Sequence, residues 1–115
     1  MAKIERILTG DFYSIIHDID DAVLGGSVSA TLEDESFFNL SNGNKAAMRV
    51  YERYSFFGGN RVSMSVLVAE SEGEIHFSAI TSGGSQAVFF KINTLGEEAF
   101  LDQIRRVADK YAKER

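Results

Sequence analysis

Three residues in one short run, Arg49, Tyr51 and Arg53, combine charge with hydrogen-bonding capacity at a regular spacing of two. A strand would set all three on one face. Two guanidinium forks and a phenol offer donors and a flat contact, which is the chemistry that recognises carboxylates, phosphates or a protein surface. Ser63 and Ser65, then His76 and Ser78, alternate in the same way in two later segments, and Ser29 and Thr31 do so in an earlier one. If these segments pair as neighbours, the outward face of one sheet gathers the whole set. The plain alternative is a solvated sheet face whose small hydroxyls have no particular task. His76 beside Ser63, Ser65 and Ser78 has the geometry for proton transfer only where a pocket forms over it.

Two other clusters invite chemistry and carry less of it. Ser82, Gly83, Gly84 and Ser85 could form an anion nest, because successive amides in such turns converge on one spot. The Gly-Lys-Ser/Thr ending of a phosphate loop is missing, so a plain turn is the simpler reading. His17 and Asp21 stand four apart, at the spacing of one helix face, but Asp18 and Asp20 cannot share that face with them. The glycine and distal glutamate of a calcium loop are also absent, so no metal and no cofactor is expected. There is no nucleophile-elbow motif, and the absence of cysteine removes a thiol nucleophile, so the reading leans away from an enzyme.

Composition narrows the class. At 115 residues the chain is expected to be a single domain over residues 1–115, with enough length for one core. Its apolar fraction of 44% and charged fraction of 25% are those of an ordinary globular protein. A net charge of −5 disfavours nucleic acid, whose binding rests on clustered lysine and arginine. No run is long and apolar enough to cross a bilayer, and no leader is visible at the start. Together with the lack of cysteine, this gives an expectation of a cytoplasmic protein with no membrane partner.

The elements that must position the candidates are legible as periodicities. Lys3 to Leu8 is a short opening strand. Asp11 suits an N-cap, Phe12, Ile15, Ile16, Ile19 and Val23 recur at helical spacing, and Gly25–Gly26 is the stop signal. Ser27 to Glu33 alternates with Val28, Ala30 and Leu32 inward. After a loop around Ser41 to Asn44, a strand over 45–57 places Ala46, Met48 and Val50 on one face and the Arg49, Tyr51, Arg53 set on the other. Phe56 to Asn60 has the glycines of a hairpin turn. Arg61 to Glu70 turns Val62, Met64, Val66 and Val68 inward, and Ser71–Glu72–Gly73 leads into a strand with Ile75, Phe77 and Ala79 inward. Residues 87–92 fit either a last strand or a helical turn. Thr94 and Glu97 have capping-box spacing ahead of a helix that buries Phe100, Ile104, Val107, Ala108 and Tyr111.

The predicted class is α+β: a two-layer sandwich in which an antiparallel sheet of four to six strands carries two helices on one face. The element order, β-α-β-β-β-β-α, is that of TBP-like or helix-grip arrangements. The segments Leu8 to Phe12, Val50 to Ser55, Gly58 to Ser63, Ala79 to Ala87, Phe89 to Thr94 and Gly96 to Phe100 carry a resemblance over almost the whole chain. The sequence resembles a family of small single-domain bacterial proteins, found mainly in Firmicutes, to which no activity is assigned. The resemblance therefore implies no chemistry. The expected function is a small binding or interaction module, homodimeric through the polar-aromatic sheet face. The alternative is a small-molecule binder or enzyme with a cavity between helices and sheet.

Overall fold

The structure, a computed structural model, describes residues 1–54, 61–83 and 97–113 in full and residues 90–96 by their backbone. Its elements are β1 (Ala2–Leu8), α1 (Phe12–Leu24), β2 (Thr31–Asn39), a 3-10 turn (Ser41–Gly43), β3 (Lys45–Tyr54), β4 (Arg61–Ser71), β5 (Glu74–Gly83) and α2 (Phe90–Tyr111). The five strands form one antiparallel sheet in the order β1-β5-β4-β3-β2. The predicted α+β class is thus the observed one.

Short local signals account for most of this order. Asp11 caps α1, its carboxylate accepting the Ser14 amide at 2.9 Å. Gly10 lets the chain turn from β1 into that helix: its φ is 143°, and a Cβ there would stand 2.9 Å from the Tyr111 ring. β4 and β5 are joined through Glu72 and Gly73, both at positive φ, as a two-residue hairpin with the sheet's own twist requires. α1 carries the chain from one edge of the sheet at β1 to the other at β2.

Both helices cover the same sheet face. α2 packs on β1, β4 and β5, and α1 reaches β2 and β3 through Phe12 against Phe37 and Asp20 against Arg49. The core is Phe12, Ile15, Ile19 and Val23 of α1, Phe100, Leu101, Ile104 and Ala108 of α2, and the inward rows of the strands, with Met64, Val66, Phe77 and Ala79 at the centre. Phe77 and Phe100 are buried as expected. The opposite face of the sheet has no layer over it among the described residues.

Four expectations need correction. The strand predicted from Ser27 begins only at Thr31, and Val28 is fully exposed; Ser27 to Ala30 turn, and the Ser29 hydroxyl accepts the Tyr54 amide at 3.2 Å. The strand then runs on through the Phe37–Phe38 pair, with a bulge between Leu32 and Asp34 that shifts its register. Thr94 does not cap α2, since the helix already includes Phe90, and Glu97 is buried, with its carboxylate accepting the Gly83 amide at 2.8 Å. The last correction concerns β3: Ala47, Arg49 and Tyr51 are the buried row, and Met48 is exposed. The turn expected over Phe56 to Asn60 and the reading of residues 87–89 fall outside the described residues, while 90–92 are helical.

Candidate functional site

The register of β3 divides the candidate set in two. Arg49 lies opposite Val66, Tyr51 opposite Met64 and Arg53 opposite Val62, so all three stand in the row that faces the helices. Ser63, Ser65, His76 and Ser78 stand on the other side of the sheet, the uncovered one. The alternation that grouped Arg49, Tyr51 and Arg53 is real. Their proximity to His76 and the serines is not.

On the covered side, Arg49 is held from three directions. Its Nε and Nη2 donate to the two oxygens of Asp20 at 2.9 and 2.7 Å, and Nη1 donates to Glu35 at 3.2 Å. The Tyr51 hydroxyl donates to Asp20 and accepts from Arg49 Nε at 3.1 Å. Burial, helped by the hydrogen bond to Asp20, pushes the Tyr51 hydroxyl well above the usual phenol range. Burial pulls Arg49 down, but its bonds with Tyr51 and Asp20 outweigh that and leave it raised. A bidentate pair whose third nitrogen is also bonded is a structural clamp of α1 onto β3, not a vacant receptor. Asp20 and Glu35 are the residues that sequence reasoning missed. In the sequence Asp20 stands out only as an acidic residue off the His17–Asp21 face, and its closeness to Arg49 in space alone reveals the pairing.

Arg53 is different. Its Nε is buried without a hydrogen-bond partner among the described residues, and its guanidinium lies 4.8 Å from the centroid of the Phe100 ring. Burial alone acts on its pKa, downward.

On the uncovered side, the middle of the sheet is apolar. Met48, Leu67 and Ile80 are 47%, 43% and 40% exposed, side chains that a monomer gains nothing by showing to water. Val50, Ser65 and Ser78 fill the spaces between them, with Ile7 and Phe38 further out. Charges stand at the margins as opposite-sign pairs: Lys3 with Glu5 at 3.8 Å, Arg61 with Glu52 at 3.2 Å, and Lys113 with Glu74. Hydrogen bonding from Lys113 holds the Glu74 carboxyl below its usual range. His76 borders an open groove of 1030 Å³ lined by Glu5, Ile7, Leu67, Ser78 and Lys113. The groove is open to solvent, with Ala112 and Lys113 at its border, so it widens the face rather than enclosing a small molecule.

The predicted nest is a strand end. Ser82 and Gly83 are the last residues of β5, opposite Ser63 and Val62, and the Gly83 amide is already taken by Glu97; Gly84 and Ser85 lie outside the described residues. His17 and Asp21 form an exposed pair at 3.1 Å on α1, and no group of three ligating side chains occurs among the described residues. None of the described helices is long and apolar enough to cross a membrane.

Comparison with known proteins gives a family and nothing nearer. The profile of a family of unknown function, DUF6054, matches residues 1–112, and the chain belongs to that family. No curated protein and no solved structure matches it.

Proposed function

We propose, taking membership of this uncharacterised family as the premise, that the chain is a cytoplasmic interaction module whose uncovered sheet face packs against a second copy of itself. The observation that carries this is the apolar centre of that face, Met48, Leu67 and Ile80, each exposed in the middle of a sheet whose other side carries the two helices. An interface core depleted of charge and ringed by it is the usual anatomy of protein contacts.

Size and charge both suit a second copy. Five strands about 4.8 Å apart, each presenting about eight residues at about 3.4 Å, give a face of roughly 650 Å². Two such faces bury roughly 1,300 Å², the low end of the range for specific interfaces, so the pair is weak and reversible. Three of the marginal charge pairs are neutralised within each copy, which limits repulsion across a two-fold axis through the face. Sheets packed in this way lie about 10 Å apart, with strands crossing at about 30°. The absence of cysteine suits a reducing compartment.

A dilution series followed by methyl NMR tests the reading. Concentration-dependent shifts at Met48, Leu67 and Ile80, with Ile15 and Ile19 on the far side unmoved, are expected. Methyl signals on the uncovered face that stay fixed from micromolar to millimolar protein would remove it.

A further inference from the structure

Two arginines stand two residues apart in the helix-facing row of β3, Arg49 buried and Arg53 half-buried, and only Arg49 finds acceptors among the described residues. Arg49 has Asp20, Glu35 and the Tyr51 hydroxyl. One level further along the same row, in line with Val62 and Gly83 across the sheet, Arg53 has the ring of Phe100 beneath its guanidinium. An aromatic face attracts the cation, but it does not accept the in-plane N–H groups, of which arginine has five. The Nε–H is buried without an acceptor among the described residues, and nothing in its surroundings offsets the loss of solvation. At the same level of the sheet, the Gly83 amide is matched by the chain's own Glu97 carboxylate. Among the described residues, the donors on this side of the sheet are thus met by protein carboxylates at Arg49 and Gly83, while the Arg53 Nε–H meets none.

We propose that Arg53 anchors an anion subsite between β3 and α2, which takes the carboxylate or phosphate group of a small ligand. Phe100 is the floor of the site: its ring lies against the guanidinium and restrains it, leaving the fork free to meet an oxyanion. A half-buried guanidinium whose Nε–H meets no acceptor among the described residues keeps donor capacity for an oxyanion arriving from outside. The net charge of −5 turns away polyanions, and a small ligand carrying one such group escapes most of that repulsion. The site lies on the opposite side of the sheet from the proposed self-association surface and does not depend on it.

The test is titration of inorganic phosphate, and separately acetate, into the whole protein, reading the Arg53 Nε–Hε resonance and the melting temperature. The proposal expects a saturable downfield shift of that resonance and a rise in melting temperature, both lost in Arg53→Met and unchanged in Arg61→Met. It also expects Arg53→Met without anion to melt no lower than the parent, because the guanidinium removed meets no acceptor among the described residues and Met keeps the contact with Phe100. Arg53→Lys keeps charge and stem but not the fork, so it should fold normally and respond more weakly. A response to phosphate alone assigns a phosphate ligand, and a response to acetate alone assigns a carboxylate. An Arg53 Nε–Hε signal that does not move, or an anion effect that persists in Arg53→Met as from an adventitious ion only, would overturn the proposal.

Discussion

The two faces of one sheet have been treated differently by the same strands. On the covered face, Arg49 and Tyr51 are sunk among valines and methionine and every polar group of the clamp finds a partner in Asp20 or Glu35. On the uncovered face, Met48, Leu67 and Ile80 are shown to water while the charges sit at the margins. Polarity and exposure are reversed relative to the simplest rule. A polar group can be buried when it is matched, and an apolar group can be exposed when a partner covers it, so each reversal indicates what the face does. The covered face is about holding the helices. The uncovered face, on the function proposed above, is the one that meets a second copy.

The comparison can be broken by substitution, and the largest effects belong to the covered side. Phe77→Ala should cost about 3–5 kcal/mol of unfolding free energy by denaturant titration, because the ring lies in the centre of the core and the site cannot collapse around the void. Asp20→Ala, which leaves the Arg49 fork half-answered and the Tyr51 hydroxyl without its acceptor, should cost about 2–3 kcal/mol in the same titration. A loss of only a few tenths there would mean that the clamp is solvated and the contrast between faces is weaker than drawn.

A smaller effect tests the helix that does the covering. Asp11→Ala removes the cap of α1 and should lower the melting temperature by less than either core change. The amide and hydroxyl of Ser14 hold the Asp11 carboxyl below its ordinary value of 3.8. A carboxylate with a depressed folded pKa stabilises fully above its unfolded value and loses that contribution as pH falls through the folded one. The melting curves of parent and variant should therefore differ above the ordinary carboxyl value and converge as pH falls through the depressed folded one. A difference that persists in acid would show that the cap is not electrostatic. Smallest for the fold, and sharpest for the comparison, is Leu67→Asp, which should change the stability of the dilute protein by about 0.5 kcal/mol or less while abolishing self-association.

How much could be read from the chain depended on how strongly each pattern was biased. β4 and β5 alternate valine, isoleucine and phenylalanine with serine, so their inward rows were plain. In β3 the two rows are Ala47, Arg49, Tyr51 and Arg53 against Ala46, Met48 and Val50, and hydrophobicity alone puts the wrong row inside. What decides is a partner 29 residues away, Asp20, which makes the buried arginine tolerable and which local patterning cannot reveal. The candidate site was therefore half legible: the serines and His76 were put on the right face, and the arginines on the wrong one. Val28 and Thr94 failed for a shorter reason. Alternation over a few residues at Ser27 gave way to a turn, and capping-box spacing at Thr94 was fortuitous, since Glu97 had a nearer use in binding the Gly83 amide.

Sedimentation velocity over about 1 to 300 μM, the span in which weak assemblies populate both states, tests the central claim most directly. The account predicts a sedimentation coefficient that rises with concentration from monomer to dimer in the parent protein and stays at the monomer value in Leu67→Asp. A parent that remains monomeric throughout, or a dimer that survives Leu67→Asp, would contradict it.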